Sequence, residues 1–121
     1  MWIAFKDGFI SVVQHRELPN CLLVRARCMA HIDAVRNLYR AKQLPVPDVV
    51  KSPRADYPYR LYVNKQDFAS IVNELVMSIE YDNFKSAVGS TVKQGDDASY
   101  LDFLHSVWHA GLSMERSPAN G

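Results

Sequence analysis

The stretch WIAFKDGFISVVQH, residues 2–15, decides the fold class of this chain. Two short runs rich in β-branched and aromatic residues, 2–5 and 8–15, lie on either side of a turn that contains Asp7-Gly8. An Asp-Gly pair between two such runs is a strong signal for a β-hairpin. The chain is therefore predicted to begin with two antiparallel strands joined by a tight turn.

A third strand is predicted in CLLVRAR, residues 21–27, because its side chains alternate in character. Successive side chains of a strand point to opposite faces of the sheet. One predicted face is apolar and the other carries two arginines; they are formed by Leu22, Val24 and Ala26, and by Leu23, Arg25 and Arg27. The sheet is thus expected to have a core face and a basic face.

Two further strands are predicted after a Pro-broken segment. DVVK, residues 48–51, is expected to form a short edge strand. YRLYV, residues 59–63, has the stronger alternation. Its expected inward side chains are Tyr59, Leu61 and Val63, and its outward ones are Arg60 and Tyr62. The residues just before it, 54–58, are interpreted as a turn, because Pro58 has no amide hydrogen and suits the start of a strand.

The segment 64–80 has the clearest helical pattern in the chain. Its apolar residues follow the i, i+3, i+4, i+7 spacing of one helix face; they are Phe68, Ile71, Val72, Leu75, Val76 and Ile79. Asn64 can cap the N-terminus, and Asp67 stands three residues later, close to a capping box. A helix beginning directly after the strand 59–63 is therefore predicted.

Three other segments, 30–41, 81–89 and 98–114, are also predicted to be helical. Gly89 is the expected C-terminal cap of the second. Asp96 or Asp97 is the expected N-cap of the third. This last helix is apolar around much of its circumference, so we expect it to be well buried.

The order of elements, three strands, a helix, two strands and further helices, predicts an α+β fold. We expect a mainly antiparallel sheet of about four to five strands packed on one face by two to four helices. There is no alternating strand–helix rhythm and no Gly-rich phosphate loop, which argues against a Rossmann-type parallel sheet. A single domain over residues 1–114 and a flexible tail over 115–121 are predicted.

The composition is typical of a soluble globular domain, with 48% hydrophobic and 22% charged residues. No apolar run approaches the roughly 18–20 residues that cross a bilayer, and the N-terminus lacks a signal-peptide pattern. On one strand Cys21 and Cys28 would lie too far apart for a disulfide, which favours reduced thiols. These features predict a cytoplasmic protein with no membrane partner.

The common catalytic and cofactor signatures are missing from the chain. It has no Walker A loop, no G-x-S-x-G, no H-E-x-x-H and no C-x-x-C. No cofactor is predicted, no catalytic residue is assigned, and an enzymatic role is disfavoured.

The outward residues of the third and fifth strands form the main candidate binding site: Arg25, Arg27, Arg60 and Tyr62. Basic side chains with an aromatic among them can track a phosphate backbone and stack a base. The alternative is an ordinary solvated sheet face whose arginines pair with acids.

A second candidate lies in DFLHSVWH, residues 102–109. Asp102, His105 and His109 share one helix face at spacings of three and four, and two histidines four apart can ligate one metal. His105 also falls on an apolar stripe, so the alternative is a buried core histidine. The alternative is favoured, and no metal site is predicted.

The net charge of +1 hides an asymmetry between the halves of the chain. Residues 1–65 contain 11 Lys/Arg and 5 Asp/Glu, a net +6, whereas residues 66–121 contain 3 and 8, a net −5. The acidic helical half could meet a basic partner, or the basic half of another copy in a homodimer. Equally open is the interpretation that these charges serve only solubility and indicate no partner.

With these segments assembled, the chain resembles a family of small bacterial and phage proteins of unknown function. The residues that carry the resemblance are Trp2, Gly8-Phe9, Val24-Arg25-Ala26-Arg27, Asp56-Tyr57, Tyr59-Arg60, Asp82-Asn83-Phe84-Lys85 and Trp108. The segments 37–54 and 114–121 depart from the family. The resemblance implies a fold but no reaction, and its phage or mobile-element setting suggests a host-directed inhibitor, such as an anti-CRISPR protein.

The leading hypothesis from the sequence is a small non-catalytic interaction protein that docks on a protein or nucleoprotein partner. One alternative is direct nucleic-acid binding by the basic and aromatic sheet face. A second alternative is a metal-dependent enzyme that uses Asp102, His105 and His109.

Overall fold

The structure is a computed structural model that describes residues 1–91 and 98–116. Its elements, in chain order, are β1 (Trp2–Phe5), β2 (Gly8–Gln14), β3 (Cys21–Ala26), α1 (Met29–Ala41), β4 (Val50–Lys51), β5 (Tyr59–Asn64), α2 (Lys65–Met77), α3 (Phe84–Thr91) and α4 (Ala98–Arg116). The strands form one five-stranded antiparallel sheet in the order β1-β2-β3-β5-β4. The predicted α+β fold is confirmed.

The chain divides into two compact units, Met1–Glu80 and Tyr81–Gly121. The first contains the whole sheet with α1 and α2, and the second contains α3 and α4. The single domain over 1–114 stays a prediction, and residues 117–121 of the predicted tail lie outside the described residues.

The core of the first unit lies between one face of the sheet and the helices α1 and α2. It consists of buried apolar side chains from all these elements: Phe5, Ile10, Val12, Val24, Ala26, Ile32, Val35, Tyr39, Leu61, Val63, Phe68 and Ile71. Tyr59 packs against this core, as its inward position in the strand pattern predicted. The opposite face of the sheet, which we call the outer face, carries the side chains of the strand residues that alternate with these core residues.

The helix α2 begins where its capping residues predicted. The Asn64 side chain accepts a hydrogen bond from the Asp67 backbone N–H at 2.8 Å, and its own amide donates to the Asp67 carboxylate at 3.0 Å. An N-cap that satisfies a free backbone N–H stabilises a helix by about 1 kcal/mol. The cap also explains the direct passage from β5 to α2.

Gly8 is required by packing rather than by the turn. Phe5 pairs with Gly8 across the hairpin, so Lys6 and Asp7 alone form the loop, and Gly8 has no left-handed backbone. His31 of α1 lies directly against it, and its Nδ1 accepts the Phe9 backbone N–H at 3.2 Å. The predicted hairpin is confirmed, but its glycine serves the approach of α1 to β2.

Gly8→Ala is expected to lower the free energy of unfolding by about 1–3 kcal/mol. A Cβ at this position would lie 3.0 Å from the His31 Cβ and 3.1 Å from its Cα, so backbone would have to move. Thermal unfolding measures the effect. The control is Gly111→Ala in α4, where a Cβ meets no atom within 4 Å and helix propensity predicts a gain of up to about 1 kcal/mol. Equal melting of Gly8→Ala and the native chain would contradict this role.

Tyr39 places a polar hydroxyl group inside the apolar core. It is 2% exposed, and its hydroxyl has no hydrogen-bond partner among the residues that the structure describes. Burial raises the pKa of this hydroxyl far above its usual range, and the nearby negative charge of Asp67 raises it further. The hydroxyl is thus neutral at physiological pH.

The second unit differs from two expectations. Gly89 lies inside α3 rather than at its C-terminus, because the helix continues to Thr91. The residues Asp96 and Asp97, predicted to cap the last helix, lie outside the described residues. The predicted burial of that helix is wrong for most of its length: Phe103, Val107, Trp108 and Met114 are exposed by 37–77%. A helix that is apolar around its circumference has more apolar surface than a two-helix unit can cover.

Candidate functional site

The outer face has one row of side chains that crosses the sheet. The strand register places Ser11 of β2 opposite Arg25 of β3, and Arg25 opposite Arg60 of β5. The same register continues to Trp2 at one edge and Val50 at the other. Two arginines are therefore direct cross-strand neighbours near the middle of the sheet.

Tyr57 organises the arginines of this face. The guanidinium carbon of Arg25 lies 4.7 Å from the centre of the Tyr57 ring, and that of Arg27 lies 4.6 Å from the same centre. Contacts of this kind contribute about 0.5–2 kcal/mol each, more where water is excluded. Tyr57 is only 5% exposed, so the ring is a buried support beneath two cations.

The backbone around Tyr57 holds the same arginines. Arg27 donates from Nη1 to the Asp56 carbonyl at 3.0 Å, and Arg60 donates from Nε to the Tyr57 carbonyl at 3.1 Å. The Asp56 carboxylate accepts the Tyr57 backbone N–H at 3.0 Å, an Asx-type contact. The segment before β5 is thus fixed on the outer face by the arginines. We call Arg25, Arg27 and Arg60 together with Tyr57 the arginine cluster.

The positive charge of the arginine cluster has no carboxylate partner in the part of the chain that the structure describes. Within residues 1–91 and 98–116, no carboxylate forms an ion pair with any of its three guanidinium groups, whereas Arg36 on α1 pairs with Asp33 at 3.0 Å. Arg25 donates to the Ser11 hydroxyl at 2.8 Å, but its buried Nε has no hydrogen-bond partner among the same residues. Among the described residues, these arginines contact a hydroxyl group, an aromatic ring and backbone carbonyls instead of carboxylates.

Exposed aromatic rings lie on both sides of the arginine cluster. Tyr62, opposite Leu23 in the register, is 45% exposed and contacts the His15 ring edge-to-face at 5.5 Å between centroids. On the edge strand, Trp2 is 73% exposed and contacts Phe9 edge-to-face at 5.8 Å. The outer face thus combines central cations with flanking aromatic surfaces.

The predicted site residues Arg25, Arg27, Arg60 and Tyr62 are brought onto one face, and their role in binding stays a prediction. Sequence reasoning missed Tyr57, which it assigned to a turn, and Ser11. The alternation of the second strand could have placed Ser11 on the outer face. No sequence pattern indicated that Tyr57 folds back under two arginines.

The helical candidate does not assemble into a metal site. Asp102, His105 and His109 are all exposed on α4. Among the described residues, no group of three His, Cys, Asp or Glu side chains could hold a metal ion. The alternative of a buried core histidine is also wrong for His105, because the buried positions of α4 are Tyr100 and Leu104.

Comparisons with protein-family models, with curated proteins and with solved structures found no match. The family resemblance of the sequence stays a prediction. Within the described residues, none of the helices combines the length and the apolar character needed to cross a bilayer.

Proposed function

We propose that this chain is a small non-catalytic interaction protein that docks through the arginine cluster onto an acidic surface of a protein or nucleoprotein. The observation that carries the proposal is the set of three guanidinium groups without a carboxylate partner among the described residues. Arginine loses less on desolvation than lysine, and its planar fork binds carboxylate or phosphate through two hydrogen bonds.

The support beneath the cluster favours binding over random solvation. The Tyr57 ring and two backbone carbonyls already restrict the three side chains. Ordering a long side chain on association costs about 0.5–1.5 kcal/mol, so a surface that is ordered beforehand binds more tightly. Complementary charge also speeds association.

The family resemblance extends this proposal to a setting. A phage or mobile-element protein of this size would meet its partner in the cytoplasm and could inhibit a host defence complex, as an anti-CRISPR protein does. This extension is supported by the resemblance alone, whereas docking by the outer face is supported by the geometry.

Arg27→Gln is expected to weaken partner capture at least about tenfold, since it removes one cation from the cluster. The test is affinity capture from the native cell with purified chain as bait, with and without nuclease, followed by identification of protein and nucleic acid. The matched control is Arg40→Gln, which removes the same charge from an exposed position of α1. Thermal unfolding of each bait verifies that it is folded.

Capture of the same partner at the same strength by Arg27→Gln and by the native chain would refute the docking surface. A triple reversal of Arg25, Arg27 and Arg60 to glutamate would change more than the charge of the outer face. Their contacts with Ser11 and the carbonyls of Asp56 and Tyr57 argue against that design. Single substitutions by glutamine are the better probe, because glutamine retains an N–H donor.

Direct nucleic-acid binding is a second candidate function. It is favoured by Tyr62 and Trp2, which are exposed on the face that carries the arginines and could stack bases. A salt titration of binding to single- and double-stranded oligonucleotides measures it, since phosphate contacts make affinity fall steeply with salt. Absence of binding at low salt would eliminate this candidate.

A further inference from the structure

We infer that the arginine cluster is a binding site for a phosphate group. The inference rests on the proposed function and gives the acidic surface of the partner a chemical identity. A phosphate is the shared chemistry of a free anion and of a phosphodiester backbone. Three features support it: the hydrogen bonding of Arg25 within the described residues, the adjacent like charges and the number of guanidinium groups.

The first observation is the hydrogen-bonding state of Arg25. A guanidinium carries five N–H donors, and buried donors in proteins are nearly always satisfied. Arg25 donates to Ser11 on one side and lies over the Tyr57 ring on its face, while its Nε is buried without a partner among the described residues. That Nε is inaccessible from outside, but a strong acceptor at the outer face could bind the terminal N–H groups of Arg25 that do not donate to Ser11.

The second observation is the adjacency of like charges. Arg25 and Arg60 are direct cross-strand neighbours, an unfavourable arrangement for two cations. Arg27 adds a third cation on the ring that Arg25 already contacts. A phosphate group bound beside these cations would convert the repulsion into attraction.

The third observation is the number of guanidinium groups, which distinguishes phosphate from carboxylate. A carboxylate has about four acceptor positions on two oxygens, and a single bidentate arginine occupies two of them. Three guanidinium groups held by one tyrosine and its flanking carbonyls suit a phosphate group, whose four oxygens provide more acceptor positions. Arginine is also the residue best matched to phosphate geometry.

The test is thermal unfolding of the full chain in inorganic phosphate and in chloride at equal ionic strength and pH 7.5. A ligand that binds only the folded state raises the melting temperature by an amount that grows with the logarithm of its concentration, here by about 2–5 °C at a few times Kd. A phosphodiester dinucleotide and its unphosphorylated nucleoside form the second arm. A shift with the dinucleotide alone assigns the site to a backbone phosphate, and a shift with inorganic phosphate as well assigns it to the phosphate group itself.

Arg60→Gln is expected to abolish the phosphate shift, while Arg40→Gln on α1 retains it. If Arg60→Gln does not fold, Arg27→Gln is the second test, because Arg27 contacts the Tyr57 ring and the Asp56 carbonyl. Equal melting in phosphate and chloride, with no shift from the dinucleotide, would overturn the inference. So would a phosphate shift that persists in both cluster variants.

The outcome separates this inference from the proposed function. Capture of a partner that depends on Arg27, without any phosphate or dinucleotide shift, would leave docking in place and refute the phosphate site. A phosphate shift that depends on Arg60, with no partner captured, would support the site and refute docking on a protein or nucleoprotein.

Discussion

Tyr57→Ala is expected to lower the free energy of unfolding by about 3–5 kcal/mol and to abolish partner binding. The first effect follows from removing a large side chain that is 5% exposed. The second follows because Arg25 and Arg27 lose the ring that both contact, so that the cations are no longer held together. Chemical denaturation measures the stability, and partner capture measures the binding.

Tyr57→Phe is the matched control for this substitution. It retains the ring, and with it both contacts to guanidinium groups, so stability and capture should stay close to those of the native chain. Capture that survives in Tyr57→Ala would show that the arginines act without their aromatic support. Loss of capture in Tyr57→Phe would instead assign the role to the hydroxyl group.

Tyr39→Phe is expected to stabilise the protein by about 1–3 kcal/mol. The substitution deletes a buried hydroxyl that has no partner among the described residues, and leaving such a group unsatisfied costs about that much. Tyr39→Ala should have the opposite effect, a loss of about 3–5 kcal/mol, because it also removes the ring from the core. Denaturant unfolding at pH 7 compares the three chains, and a destabilised Tyr39→Phe would contradict the assignment.

The raised pKa of Tyr39 predicts how the free energy of unfolding changes at alkaline pH. Burial, and then the charge of Asp67, raise the pKa of Tyr39 in the folded state above its usual value of 10.0. The unfolded chain therefore releases this proton first, and native stability is complete below about pH 10 and falls above it. Tyr39→Phe should remove this part of the alkaline loss. Identical pH profiles of the two chains above pH 10 would contradict it.

Much of the fold could be predicted from local pattern. The hairpin 2–15, the strand 59–63 and the helix that begins after Asn64 each have a periodicity or a cap that depends on neighbours in sequence. Such signals are local because side-chain direction repeats every two residues in a strand and about every 3.6 in a helix. The strands were found to within about one residue, and the helix begins where predicted but ends at Met77, before the predicted end at residue 80.

Features that depend on distant residues were misjudged. Gly8 was attributed to a turn, whereas it is the approach of His31, more than twenty residues later, that excludes a side chain there. The last helix was expected to be buried from its apolar circumference, but its exposure is set by how much surface packs against it. Neither quantity is encoded in a short window of sequence.

The candidate site shows the same division. Strand alternation alone determined that Arg25, Arg60 and Tyr62 could share a sheet face, since period and register suffice for that inference. Only the tertiary structure decided that Tyr57 lies beneath two arginines and that its backbone accepts a third. The two ring contacts join residues about thirty positions apart, and their geometry depends on how the chain folds back before β5.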